Sequence, residues 1–358
     1  MNRLDSLRRR LKRLKTDAFL CTGRTNLRYL TAFTGSNGAA LVSAEHAWFF
    51  TDFRYKTQSA EQVKGFQIVV PPPAKDLFKA AARVAKQNEF GSLAVDANSL
   101  TVAQFEDAQQ TFQGIDLIST REVIESQRMV KDASELAAIR KATAIADAAY
   151  DFILARIRPG RTEVQIAREL EAQMLKLGAD GLAFEPIVIS GARTALPHGR
   201  PSTKRFERGD LVTLDFGALF GGYRSDCTRT ICVGKPTSEQ QRIYRLVRDA
   251  HFAAKEHIRS GGGCRAIDKV ARDLITTAGY GNQFGHGLGH GVGLDIHEGP
   301  RFSKLGKGKL AAGNVMTVEP GIYLEGWGGV RIEDLLVVTD HGFELLTTAP
   351  NPARIPVV

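Results

Sequence analysis

Residues 211–234 read LVTLDFGALFGGYRSDCTRTICVG. Apolar residues alternating on either side of a glycine pair describe two strands joined by a tight turn around Phe220 and Gly221, with glycine supplying the turn conformations. Asp215 and Asp226 are equidistant from that turn, so an unbulged hairpin sets them directly opposite on one face, their Cβ atoms roughly 5 Å apart. Two like charges facing each other weaken a sheet unless something cationic lies between them. A divalent metal is the natural candidate; the competing reading is a pair of solvated carboxylates on an edge hairpin.

The rest of the chain decides between the two. Residues 284–300, FGHGLGHGVGLDIHEGP, carry glycine at 285, 287, 289, 291 and 293 and are expected to be extended or looped rather than helical. They are not a dinucleotide loop, because the position that would complete GxGxxG after Gly285 and Gly287 is His290. In an extended chain His286 and His290 share a face, and with His297 they place three of the chain's eight histidines within twelve residues. Glu319, in MTVEPGIY, ends an apolar strand before Pro320, and a charge there calls for a partner. Glu333, in GGVRIEDLLVV, alternates with Val330 and Ile332 and shares a face with Arg331. Four carboxylates and one imidazole, without a thiolate, suit two divalent cations of the Mn, Co, Fe or Zn type rather than a closed structural zinc site.

Outward from this core, Thr162 with Gln165 and Thr237 with Gln240 fit capping boxes that open helices, and Gly178 and Gly261 stand where such helices would stop. These helices alternate with glycine-rich strands, which predicts an α+β domain. The first third differs: DAFLCT, AALVS, AWFFTDF, FQIVV and SLAVD alternate with helical segments such as LFKAAARVAKQ, and a PPP break falls at 71–73. That pattern predicts an α/β domain. The polar segment REVIESQRMVKDASE marks the boundary, giving domains 1–125 and 126–358.

A chain of 358 residues, 43% hydrophobic and 24% charged, has the composition of globular proteins and excludes a disulfide scaffold or a disordered chain. No stretch approaches the ~20 apolar residues of a membrane span. The formal charge of +9 suggests nucleic acid until its location is traced: six of the nine charges lie in residues 1–15, where Leu4, Leu7, Leu11 and Leu14 form one apolar stripe on a basic surface helix. Neither nucleic acid nor a membrane is therefore an expected partner, and no targeting signal is read. Cys21, Cys227, Cys232 and Cys264 form no CxxC pair and suit free thiols in a cytoplasmic protein.

In order and context, Asp215, Asp226, His290 in GHGVGLDIHE, Glu319 in VEPG and Glu333 in RIED resemble the five metal ligands of the pita-bread metallopeptidases. That family comprises methionine aminopeptidases, prolidases and aminopeptidases P, with the metal-free creatinases. RYLTAFTGSNG and FFTDFRY resemble the creatinase/prolidase amino-terminal domain, so the likeness covers essentially the whole chain. LPHGRPS, with His198, and the placement of His286 four residues before His290 resemble the proline-specific branch.

The resemblance implies a homodimer and two divalent ions per subunit. Asp215 would bind one ion, Asp226 and Glu333 both, and His290 and Glu319 the other. Glu319 would also be the general base, His297 would steady the substrate carbonyl, and His198 and His286 would hydrogen-bond substrate. Retention of all five ligands weighs against a creatinase-like hydrolase and a non-catalytic binding module. Substrates would carry proline in second position. Arg301, in HEGPRFS, resembles an arginine that reads a dipeptide's carboxylate in some prolidases, and Arg331 is a second candidate. Since arginine in this motif is not confined to dipeptidases, the main expectation is an Xaa-Pro aminopeptidase, with an Xaa-Pro dipeptidase as the alternative.

Overall fold

The computed structural model describes residues 2–72 and 76–358, which form two compact units, Met1–Arg128 and Met129–Val358. The short helix Glu125–Arg128 runs across the boundary placed at 125/126, and the division falls after it. Pro73, the last proline of the PPP break, lies outside the described residues.

The first unit is built on a six-stranded mixed sheet. Its spatial order is Gln67–Val69, Ala47–Phe50, Ala39–Ser43, Ala18–Cys21, Ser92–Asp96 and Asp116–Thr120. The strand Ala18–Cys21 is apolar throughout and buried along its length, as expected for a central strand covered on both faces. The helix Arg3–Leu14 buries Leu4, Leu7 and Leu11. Leu14, expected on the same stripe, is exposed, because Lys15 turns into the left-handed region and ends the helix there. The helix Leu77–Gln87 opens on Asp76, which accepts from the Phe78 amide, and buries four alanines against the sheet.

The second unit is α+β. The long helix Ala133–Leu154 starts from a capping box of Asp132 and Glu135. Helices Glu163–Lys176 and Ser238–Lys255 start from the boxes expected at Thr162 and Thr237. Gly178 follows the first of these at positive φ, as a stop signal should. Gly261 does not cap the second, which ends at Glu256; it lies in the tight turns beyond, where its amide donates to the Leu310 carbonyl. A three-stranded sheet runs Cys227–Cys232, Leu211–Phe216, Ile187–Ser190. A five-stranded sheet runs Glu298–Phe302, Gly289–Gly291, Val315–Val318, Asp334–Val338, Phe343–Leu345. The ribbon Gly321–Leu324 with Gly328–Arg331 is inserted between Val315–Val318 and Asp334–Val338 of the five-stranded sheet, and the Glu333 amide donates to the Thr228 carbonyl at 3.0 Å, joining the two sheets.

The hairpin register differs from the expected one. Phe220 pairs with Tyr223 and Asp215 with Thr228, so the turn centres on Gly221 and Gly222. Both glycines have positive φ, 58° and 87°, which a two-residue turn of this kind requires at both central positions. Asp226 is therefore the diagonal rather than the direct neighbour of Asp215. A shift of two residues preserves the side of the sheet, and both aspartates still open into one cavity.

Candidate active site

All five carboxylate and imidazole residues singled out in the sequence line one cavity of about 660 Å³ in the second unit. Strand ends deliver them. Asp215 is the penultimate residue of Leu211–Phe216, Asp226 immediately precedes Cys227–Cys232, and Glu319 follows Val315–Val318. Glu333 occupies the step between Gly328–Arg331 and Asp334–Val338, and His290 is the middle residue of Gly289–Gly291. The glycines beside His290 allow this approach: a Cβ at Gly289 would fall 2.1 Å from the Thr317 carbonyl oxygen, and one at Gly291 2.3 Å from that of Gly299.

Asp226, His290 and Glu333 offer ligand atoms that all lie within 4.8 Å of one another. The His290 Nδ1–H donates to the Gly291 carbonyl at 3.1 Å, which turns Nε2 toward the carboxylates, where without metal it shares a proton with Glu319 and, once that proton leaves, is the nitrogen open to a cation. That atom is 3.3 Å from Glu319 Oε1 and 3.7 Å from Asp226 Oδ2. Thr228 donates to Glu333 Oε2 at 2.7 Å, and Thr317 to Glu319 Oε1 at 3.2 Å. Asp215 Oδ1 is buried without a hydrogen-bond partner.

The electrostatics match this geometry. Burial, then the neighbouring carboxylates, pushes Asp226 and Glu333 well above the usual range. Burial also raises Asp215 despite Arg331. Burial alone would raise Glu319, but its hydrogen bond to His290, added to the charges of His290, His286 and Arg331, outweighs that and brings it down to about 2. Burial likewise disfavours the His290 cation, and the bond to Glu319, added to that carboxylate's charge and the Gly291 carbonyl, reverses the sign and raises it. A cluster of acceptor oxygens with an orphaned Asp215 oxygen and one imidazole nitrogen turned inward fits divalent cations, which would relieve the mutual repulsion.

Arg331 lines the cavity, and its guanidinium is committed to protein groups: Nη2 donates to Asp215 Oδ2 at 2.6 Å, Nε to Thr228 at 3.1 Å, and Nη1 to the Pro197 carbonyl and to Tyr323 at 3.2 and 2.9 Å. These bonds hold the Asp215 carboxylate in place. His286 departs from expectation. Its Nδ1–H donates to the Gly287 carbonyl at 2.8 Å and its Nε2 accepts from the Tyr323 hydroxyl at 2.9 Å, so the neutral ring has no N–H left for substrate. Burial lowers His286 further toward that neutral form, and it lines the cavity with both ring nitrogens bonded to protein groups.

His198 and His297 line the cavity, both exposed. The His297 ring packs edge-on against His290 at 4.4 Å between centroids, and burial followed by the His290 charge lowers it. Arg301 is exposed at the cavity wall and pairs with His290 across the antiparallel strands, which turns the two side chains to the same face. Tyr323, Thr228 and Thr317 were missed. Only Tyr323 had a sequence signal, a phenol in the VEPGIY strand adjoining a proposed ligand.

Residues 137–340 match the metallopeptidase family M24, and residues 3–130 match the creatinase/prolidase N-terminal domain. The chain is 36% identical to the Xaa-Pro dipeptidase of Pyrococcus horikoshii, over 92% of each chain. Two solved structures are similar over nearly the whole length. One is an Xaa-Pro dipeptidase from Bacillus anthracis, with TM-score 0.96, 40% identity and coverage of 99% of both chains. The other is an X-Pro aminopeptidase from Thermotoga maritima, with TM-score 0.90, 37% identity and coverage of 98% of this chain and 100% of that one. The fold and the clustered ligands define a metallopeptidase of the pita-bread type. This chain belongs to metallopeptidase family M24, in the Xaa-Pro aminopeptidase and prolidase branch, and is a metallo-exopeptidase.

Proposed function

We propose that the protein is an Xaa-Pro dipeptidase that works with two divalent ions, Mn, Co or Zn, held by Asp215, Asp226, His290, Glu319 and Glu333. The observation that carries the dipeptidase reading is Arg301, a cavity arginine on the His290 face with an exposed guanidinium. A dipeptide's free carboxylate lies one residue beyond the scissile bond, and an arginine fork close to the ligands is suited to bind it. The names of the Pyrococcus horikoshii and Bacillus anthracis relatives favour this over the aminopeptidase expected from sequence.

The bound ions would supply Lewis-acid polarisation of the scissile carbonyl and acidification of the attacking water. This chain's own groups do the rest. Glu319, held low by His290, is the proton acceptor for that water. His297 donates to the carbonyl oxygen as negative charge develops there, and His198 binds the substrate backbone. Phe184, Pro186 and Ile187 give the cavity an apolar wall that suits a proline ring. The homodimer and the cytoplasmic location stay part of the proposal, the former to be tested by light scattering of the purified chain.

An aminopeptidase acting on longer peptides is the second reading, favoured by the similarity to the Thermotoga maritima structure. The test compares kcat/KM for an Xaa-Pro dipeptide, its carboxyl-terminal amide and an Xaa-Pro-Yaa tripeptide, in wild type and Arg301→Ala. A dipeptidase loses the amide and the tripeptide in wild type, and Arg301→Ala selectively damages dipeptide cleavage. Efficient tripeptide cleavage rejects the dipeptidase.

A further inference from the structure

Glu163 is the first residue of the helix Glu163–Lys176 and is completely buried, far in sequence from every residue assigned above. Its carboxylate accepts five hydrogen bonds. Oε1 takes the Ser190 amide at 2.7 Å and the Ser190 hydroxyl at 3.0 Å. Oε2 takes the Ser202 amide at 3.0 Å, the Ser202 hydroxyl at 2.7 Å and Arg193 Nε at 3.2 Å. Only an acceptor-only group with two oxygens can satisfy all five donors; a glutamine would set an NH₂ against some of them.

Ser190 and Ser202 are the two ends of the loop that contributes Pro197, His198, Gly199 and Arg200 to the cavity. One carboxylate thus closes the base of the loop that carries His198. Two further bonds extend its reach. Arg193 Nη2 donates to the Arg200 carbonyl at 2.6 Å, linking Glu163 to the distal limb, and Thr194 Oγ1 accepts from the Gly329 amide at 2.7 Å, fixing the loop to the strand that ends in Arg331. His198 itself is exposed, so its position depends on the backbone beneath it.

We infer that Glu163 is a positioning residue: it preorganises the 190–202 loop so that His198 meets the substrate, while making no contact with substrate or with the ligand cluster. The function of the charge is to hold a recognition loop rather than only to close a helix end. A catalytic or binding group must be held within about 0.5 Å of its productive position, and a misplacement of about 1 Å can cost ~100-fold in rate. The inference rests on the peptidase reading of the cavity.

The test is a double-mutant cycle in the metal-loaded protein on an Xaa-Pro dipeptide, with wild type, Glu163→Gln, His198→Ala and the double variant. Melting temperature, metal content and amide hydrogen exchange are followed for each. Glu163→Gln is expected to lower kcat/KM about tenfold or more, to speed exchange of amides 191–200, and to leave metal content unchanged. In the His198→Ala background the same substitution should cost less than about twofold, because its effect passes through His198. Should Glu163→Gln not fold, Ser202→Ala removes a single donor and must show the same pattern at smaller size. Full activity with unchanged exchange, or an undiminished loss in the His198→Ala background, overturns the inference. Absence of both Xaa-Pro dipeptide and Xaa-Pro-Yaa tripeptide cleavage in wild type overturns the peptidase reading instead, and the exchange data still decide whether Glu163 clamps the loop.

Discussion

Glu333 and Asp334 are neighbours in sequence and equally hidden, at 2% and 0% exposure, yet their surroundings are opposites. Asp334 faces two cations, Arg229 Nη2 and Lys255 Nζ, each 2.7 Å from its oxygens, and His251 Nε2, which burial lowers to about 3, lies at 3.3 Å. Burial opposes its charge, but His251, Arg229 and Lys255 together hold it well below the usual carboxylate range. Glu333 faces one threonine hydroxyl and a set of other carboxylates, and is pushed well above that range. Asp334 completes an ion cluster made entirely of protein, whereas in the proposed function Glu333 belongs to one that a metal would complete. A buried carboxylate whose nearby charges are mostly other carboxylates suits a cation from outside.

The contrast can be broken at either residue, or sharpened at the ligands beside them. The largest effect is expected from Glu319→Gln, which removes a ligand charge and the proton acceptor with little change in shape. Turnover should fall by about 10²–10⁴ from the general-base loss alone, with the melting temperature retained. Steady-state rates and calorimetry check this; wild-type turnover would show that another group takes the proton.

Asp334→Asn comes next. It leaves Arg229 and Lys255 buried beside a neutral amide, and removing one partner of a buried ion pair costs about 3–5 kcal/mol. Denaturant unfolding should register that loss whether or not metal is bound. The pH dependence has a definite sign. Because the folded carboxyl is depressed, its stabilisation is fully present above the unfolded value of about 3.9 and is lost as pH falls through the folded one. The prediction for Asp334 itself is a deficit that shrinks as pH is lowered.

Metal should separate the two clusters. A cation that binds only the folded state stabilises it by about 2.7 kcal/mol at a hundredfold excess over its dissociation constant. Thermal melts with and without Mn²⁺ should show that gain in wild type and in Asp334→Asn alike. The smallest effect belongs to Glu333→Gln without metal: relieving one repelling charge should leave the melting temperature equal to wild type or higher, while the gain on adding metal shrinks. A large destabilisation of metal-free Glu333→Gln would show that the protein already compensates this carboxylate.

That the proposed ligand residues would gather at one cavity was legible because each carried a local signature: aspartates on an alternating hairpin, histidines among glycines, a glutamate before proline. The hairpin register differs from the expected one by two residues because the turn takes its two positive φ values at Gly221–Gly222 rather than at Phe220–Gly221, a preference the glycine pair itself signals. Only the glycine pair can do so without a Cβ penalty. Helix starts at Thr162 and Thr237 were readable from their capping boxes, whereas Gly261 misled because a glycine in a turn beyond a helix looks like one at its end. The commitment of His286 was not readable, and Arg331 was legible only as a residue that either reads substrate or orients a carboxylate. Their bonds are set by partners such as Asp215, Pro197 and Tyr323 that the chain brings together only on folding. The same is true of the five donors gathered on Glu163.

The central claim, that the buried carboxylates exist to hold catalytic metal, is tested most directly by stripping the purified protein of metal. Metal content is then verified by elemental analysis, and hydrolysis of an Xaa-Pro dipeptide is measured before and after Mn²⁺ or Co²⁺ is restored. The account predicts no cleavage in the stripped protein and recovery on addition. Full cleavage by protein shown to contain no metal would contradict it.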